Sequence, residues 1–132
     1  YVQPALPSSP TRVPMAGLRT VIEGLSQRPG VVAVALVSDD GLVIDRVMGS
    51  GHGDADEVAA LSATLARHAT TLGDAAGRGN FHAGVFEYAD GMVVLSQAGA
   101  ANFVVIVVDS NHNIGALLYD LRKHEPALAA LL

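Results

Sequence analysis

Three glycines alternate between residues 49 and 53, a pattern that suggests a loop wrapped around a phosphate. A phosphate-binding loop of the G-x-x-x-x-G-K-[ST] type also needs a lysine, and none follows at the required position. Asp54, Asp56 and Glu57 come next instead, so negative charges would meet the anion. We therefore interpret the segment as a plain loop and predict no cofactor.

The histidines and serines of the chain do not form a recognisable catalytic or metal-binding pattern. The five histidines include no H-x-x-x-H pair, and the chain has no cysteine, so we predict no metal site. Ser96, His82 and Asp109 are the residue types of a hydrolytic triad, but no G-x-S-x-G turn would expose the serine. We predict no catalytic residues and a protein that is not an enzyme; a hydrolase using Ser96 or His82 is the weakest alternative.

Arginine is the remaining residue type with a specific chemical use, because an arginine placed against a transferring phosphate accelerates GTP hydrolysis. Arg46, Arg67 and Arg78 are the candidates by their positions. The alternative is that each is an ordinary exposed arginine that keeps an alanine-rich surface soluble.

Composition excludes several classes of protein. The 132 residues suit one domain, and 8 Lys+Arg against 13 Asp+Glu leave no basic stripe for nucleic acid. Hydrophobic residues make up 50% of the chain, yet its longest apolar runs, Val31 to Val37 and Phe103 to Val108, fall far short of the ~20 residues of a membrane span. The surplus of apolar residues suggests an oligomer, and the lack of cysteine suits a cytoplasmic protein.

Proline and glycine divide the chain into a tail and one folded domain. Residues 1–15 are rich in proline and serine, and we predict a disordered tail or linker there. Residues 16–132 form the predicted domain, in which a first helix ends at Pro29-Gly30. Asp-Gly pairs at 40–41 and 90–91 predict two hairpins, and the second hairpin continues into a third strand.

Two further helices complete the predicted order α-β-β-α-β-β-β-α. The long helix spans 54–76, and the last begins near Asn111 to Asn113 and breaks or kinks at Pro126. Several strands are apolar at every position, so both faces of the sheet must be covered. We therefore predict an α/β (α+β) fold, a three-layer helix/sheet/helix sandwich around a five-stranded, mostly antiparallel sheet.

The long helix is expected to present three different faces at about 100° per residue. One face, predicted to be core, carries Val58, Leu61, Leu65, Ala69, Leu72 and Ala76. A neighbouring face of small residues would permit close approach of a second helix or sheet, although good helix propensity explains the same residues. The third face is polar but sparsely charged, as a docking surface for a partner would be.

The strand over Phe81 to Tyr88 is predicted to lie at an edge of the sheet that can pair with another chain. It starts a meander after a long crossover, and Gly84 permits close backbone approach. The alternative is that Gly84 marks a bulge and that His82 and Glu87 discourage edge pairing.

Four short segments follow one another over residues 16–132: Pro29-Gly30-Val31, Asp40-Gly41-Leu42, Glu57-Val58-Ala59-Ala60-Leu61 and Asn113-Ile114-Gly115. In this order they resemble the roadblock/dynein light chain family, and its bacterial MglB-like branch in particular. The resemblance implies a homodimer in which the long helices lie side by side and a strand from each chain joins the two sheets. It also implies that the dimer binds a small Ras-like GTPase through the surface around those helices, without donating a catalytic arginine.

These expectations define two sets of candidate residues. The expected function is that of a dimeric regulator or scaffold that modulates the nucleotide cycle or localisation of the GTPase. The alternative is a small-molecule sensor, or a structural interaction module with no GTPase partner. The predicted dimer interface consists of Ala59, Ser62, Ala63, Ala66, Thr70, Phe81, Ala83, Gly84 and Val85, and the predicted partner-binding residues are Asp56, Ala60, Thr64, Arg67 and Thr71.

Overall fold

The computed structural model of the chain describes residues 13–48, 54–109 and 114–132. The predicted order of elements is confirmed. The helices and strands are α1 (Val13–Ser26), β1 (Val31–Ser38), β2 (Val43–Met48), α2 (Ala55–Ala75), β3 (Ala83–Tyr88), β4 (Gly91–Gln97), β5 (Asn102–Val108) and α3 (Ile114–Leu131).

The start of α1 differs from the sequence prediction. The helix begins at Val13, so residues 13–15, which the composition assigns to the tail, are helical, and the rest of the predicted tail lies outside the described residues. Pro14 fits in the first turn because the amide that proline lacks would have no partner there. The glycine loop at 49–53 and the predicted cap at 111–113 also lie outside the described residues.

The five strands form one antiparallel sheet in the order β2-β1-β5-β4-β3. Both Asp-Gly turns occur where predicted, and their glycines have positive φ, 86° at Gly41 and 149° at Gly91. The two most apolar strands, β1 and β5, pair with each other at the centre of the sheet. Their side chains are buried on both faces, which explains the absence of alternation in their sequences.

Helices cover both faces of the sheet, so the three-layer sandwich is confirmed. On one face α1 and α3 contribute leucines such as Leu18, Leu117 and Leu128 to a core with Val34 and Ile106. On the other face α2 contributes alanines to a second core with the remaining side chains of β1, β4 and β5. The charged pair Arg28–Asp120 ties the turn after α1 to α3.

Pro126 does not end α3, so of the predicted break or kink at this residue the break is wrong. The helix runs from Ile114 to Leu131 with the proline inside it. Leu128, only 2% exposed, and Leu131 pack into the first core beyond the proline. Their burial offsets the hydrogen bond that proline cannot donate. In the described part of the chain, no helix is both long and apolar enough to cross a membrane.

Candidate interaction surface

The candidate surface is built around α2, whose start is fixed by a side-chain cap. Asp54 is the N-cap residue, and its Oδ1 accepts hydrogen bonds from the amides of Asp56 at 2.9 Å and Glu57 at 3.3 Å. Such a cap satisfies amides that have no partner within the helix. The acids predicted to oppose a phosphate thus serve the first turn of the helix, where negative charge is favourable.

The small-residue face of α2 packs against the chain's own sheet. Ala59, Ser62, Ala63 and Ala66 are 1%, 3%, 2% and 8% exposed. The three alanines belong to the core that contains Val37, Leu95, Phe103 and Val105. The prediction that these four residues meet a second helix is therefore corrected: small side chains do permit a close approach here, but it is the approach of the chain's own sheet.

The first hairpin shows how close that approach is. A Cβ built at Gly41 would lie 3.2 Å from the Cα of Ala60 and 3.5 Å from the Cβ of Ala63. A side chain at residue 41 would therefore push the hairpin away from α2. The glycine and the small helix residues therefore act together.

The apolar row predicted as core is largely exposed instead. Leu61, Leu65 and Leu72 are 59%, 39% and 70% exposed, and Val58 and Ala69 on the same row are half-buried. Hydropathy alone assigns leucines to the core, but the helix lies so close to the sheet that only small side chains fit beneath it. The buried and the exposed faces of α2 are thus the reverse of those predicted, and the close run of small residues is the sequence signal that marks the buried face.

β3 lies at an edge of the sheet, as predicted. It pairs with β4 on one side, and no strand in the described ranges pairs with its other side. Val85 and Tyr88 are 37% and 61% exposed on this strand. Gly84 is not in a bulge, since the register with β4 is continuous from Ala83 to Tyr88.

The other predicted interface residues surround the start of β3. The half-buried Phe81 packs against the α2 core, and its ring lies 3.7 Å from the position of a Cβ at Gly84. Thr70 is exposed on α2, and its hydroxyl donates to the carbonyl of Ala66 at 2.9 Å. The exposed leucines of α2, Leu61, Leu65 and Leu72, which we call the leucine row, offer apolar side chains to a partner. The edge of β3 that no strand of the described ranges covers offers backbone groups for pairing.

The predicted partner-binding residues all lie exposed on one flank of α2, towards the first hairpin: Asp56, Ala60, Thr64, Arg67 and Thr71. The guanidinium of Arg67 donates to the carbonyl of Asp39 and to the Thr64 hydroxyl, each at 3.3 Å. At the other end of this flank, Nη1 of Arg46 lies 3.8 Å from Oδ1 of Asp56. These contacts tie the hairpin to the helix and make the flank one continuous surface.

The candidate catalytic residues are not assembled into a site. Ser96 pairs with Val104 in the sheet. Asp109 lies five residues beyond Val104, which at ~3.4 Å per residue is about 17 Å farther along the strand direction from Ser96. Arg78 is exposed, and its Nε donates to the carbonyl of Ala76 at 3.4 Å. Among the described residues, no group of three or more histidine and acidic side chains could hold a metal ion.

A helix packed through its small residues on an antiparallel sheet, with β2 and β3 at the two edges, defines a small α+β domain. Residues 18–108 match the family model of the Roadblock/LC7 domain. The match covers more than half of the chain, and the chain therefore belongs to the Roadblock/LC7 family. The resemblance seen in the sequence is thereby confirmed.

Solved structures agree with this assignment of the fold. MglB of Myxococcus xanthus has a TM-score of 0.76 at 20% identity, covering 83% of this chain and 89% of that chain. A Roadblock/LC7 domain from Streptomyces avermitilis has a TM-score of 0.71 at 25% identity, covering 83% and 95%. A structure described as MglB with tetrameric arrangement has a TM-score of 0.75 at 20% identity, covering 98% and 96%. The search of curated proteins gave no match.

Proposed function

We propose that this protein is a non-enzymatic, homodimeric regulator or scaffold that binds a small Ras-like GTPase and modulates its nucleotide cycle or its localisation. The observation that carries the proposal is that one molecule has both an exposed leucine row on α2 and the edge strand β3. Membership of the Roadblock/LC7 family and the likeness to MglB support it. A cytoplasmic location belongs to the same proposal and is consistent with the absence of cysteine.

The dimer is proposed to use the leucine row and the edge strand together. Leu61, Leu65 and Leu72 follow the spacing of one helix stripe, which a second α2 can cover with its own stripe. At the same time β3 of each copy pairs with β3 of the other, and this pairing satisfies the free backbone groups of both edges. Phe81, Ala83, Gly84 and Val85 remain in the proposed interface, whereas the leucines replace the buried small residues of α2.

The GTPase is proposed to bind the flank formed by Asp56, Ala60, Thr64, Arg67 and Thr71. This flank and the leucine row lie on opposite sides of the buried face of α2. A dimer can therefore form without covering the flank. The guanidinium of Arg67 is held by Asp39 and Thr64, which supports a role in binding rather than in catalysis.

Two charge-changing substitutions on α2 test the proposal, and each serves as the control for the other. Leu65→Glu places a charge in the proposed helix contact and should convert the dimer to a monomer in multi-angle light scattering. Arg67→Glu should leave the dimer intact and weaken GTPase binding by about tenfold or more, since it reverses a charge in the proposed contact. Circular dichroism of both variants verifies that the fold is retained.

The GTPase itself is identified by affinity capture from the source lysate with GDP and, in parallel, with a non-hydrolysable GTP analogue. Recovery of one Ras-like protein with the wild type but not with Arg67→Glu supports the proposal. Hydrolysis and exchange assays on the recovered protein then separate an activator from a scaffold. A wild-type monomer at micromolar concentration contradicts the dimer, and capture that does not depend on Arg67 contradicts the proposed binding flank.

A further inference from the structure

A cavity of about 360 Å³ opens between the C-terminal half of α2 and the start of β3. We refer to it as the α2–β3 cavity. Its walls include Thr70, Phe81, His82, Gln97 and Glu125, and no lysine or arginine of the described ranges lines it. Its walls include no residue of the proposed GTPase-binding flank, but a neighbouring cavity lined by Arg67 and Thr71 shares Thr70, Gln97 and Ala100 with it. Phe81 also belongs to the proposed dimer interface.

Two side chains of this cavity, Gln97 and Thr70, present acceptors to it because their donors are already used. The side-chain amide of Gln97 donates to the carbonyls of Gly99 at 2.8 Å and Asn102 at 3.1 Å, which leaves its Oε1 as a free acceptor. The Thr70 hydroxyl donates to Ala66, so the lone pairs of its oxygen remain available. Two neutral acceptors are thus held in fixed positions on the walls of the cavity.

Glu125 adds a negative charge to these acceptors. It is half-buried, and within the described part of the chain its carboxylate has no cation and no hydrogen-bond donor as a partner. A partly desolvated carboxylate without a partner is unfavourable, and a bound cation relieves that cost. The charge of the cavity therefore matches a cationic ligand.

We infer that the α2–β3 cavity binds the guanidinium group of an arginine side chain supplied by a protein partner. A guanidinium carries five N–H donors and no acceptor, and so it matches a cavity that offers acceptors on several walls. Phe81 also lines the cavity, and an aromatic ring suits the flat face of a guanidinium better than it suits an ammonium. This inference does not depend on whether the partner is a GTPase.

The test is a titration of the full chain followed by two-dimensional amide NMR, with N-acetyl-L-arginine amide as the probe. N-acetyl-L-citrulline amide is the matched control, because it has nearly the same shape without the charge. We expect saturable shifts of the Gln97 side-chain amide and of the β3 start with the arginine probe, and none with the citrulline probe. Equal shifts with both probes would overturn the inference.

Glu125→Gln tests the role of the carboxylate and should weaken binding of the arginine probe by about tenfold or more. The control is Glu57→Gln, because Glu57 is an exposed glutamate in the first turn of α2, far along that helix from the cavity. This variant should bind the probe as the wild type does. Unchanged binding by Glu125→Gln would overturn the inference. Tighter binding of free L-arginine than of the capped probe would show that the cavity recognises the amino acid itself. That result would overturn the inference that the guanidinium comes from a side chain of a protein partner.

Discussion

At the scale of single residues, Gly91 is the position where the backbone leaves least freedom. Its φ is 149°, and a Cβ at this residue would clash with the carbonyl oxygen of Val108. Gly91→Ala therefore forces the β3–β4 turn away from β5. We expect the free energy of unfolding to fall by at least about 2 kcal/mol, measured by urea denaturation at fixed protein concentration.

Gly24→Ala is the matched substitution. Gly24 lies in α1, and a Cβ there would meet nothing within 4 Å. Alanine favours a helix over glycine, so this variant should gain up to about 1 kcal/mol. If both variants lost stability equally, the close contact at Gly91 would not be the cause.

At the scale of elements, α2 predicts opposite outcomes for two neighbouring positions. Ala63 is 2% exposed against the sheet, whereas Leu61 is 59% exposed on the proposed dimer contact. Ala63→Arg buries a charge and should cost about 3 kcal/mol or more, enough to abolish cooperative unfolding in circular dichroism. Leu61→Arg should keep a cooperative transition but yield a monomer in light scattering.

If Ala63→Arg stayed folded and Leu61→Arg unfolded, the dimer interface predicted from the sequence, formed by the small residues of α2, would be supported instead. A folded but monomeric Ala63→Arg would mean that the small residues face a second chain after all. An unfolded Leu61→Arg would mean that the leucines belong to the core of a single chain. The pair of variants thus assigns each face of α2 independently of the identity of any partner.

At the scale of the whole molecule, the proposed dimer makes the stability depend on protein concentration. Unfolding that is coupled to dissociation is opposed by mass action, so the Tm should rise by several degrees over an about hundredfold range of concentration. Differential scanning calorimetry measures this shift. The Leu65→Glu variant is the control, and its Tm should stay constant over the same range.

A constant Tm in the wild type would contradict the dimer in a way that does not rely on any substitution. The two cores of the sandwich, one under α1 and α3 and one under α2, would then suffice for folding of a single chain. The exposed leucines would remain without a stabilising contact.

The sequence by itself determined the order of the elements, because each signal is local. Periodicity, the Asp-Gly turns and the Pro29-Gly30 stop depend on neighbouring residues alone, and each element was found within a few residues of its observed bounds. The fully apolar strands β1 and β5 predicted a sheet covered on both faces. The edge position of β3 followed from the order of the strands.

Only the tertiary structure decided which face of α2 is buried. Two of its faces carry apolar residues, and choosing between them requires the distance between helix and sheet, which depends on residues distant in sequence, such as Gly41 on the first hairpin, whose lack of a side chain permits the close approach. The continuation of α3 past Pro126 likewise depends on a pocket for Leu128 that α1 and the sheet provide. The α2–β3 cavity joins α2, the strands and α3, so no local pattern could place Glu125 beside Gln97. Local signals determine which elements form, whereas packing between elements distant in sequence determines which side chains face the core, the solvent or one another.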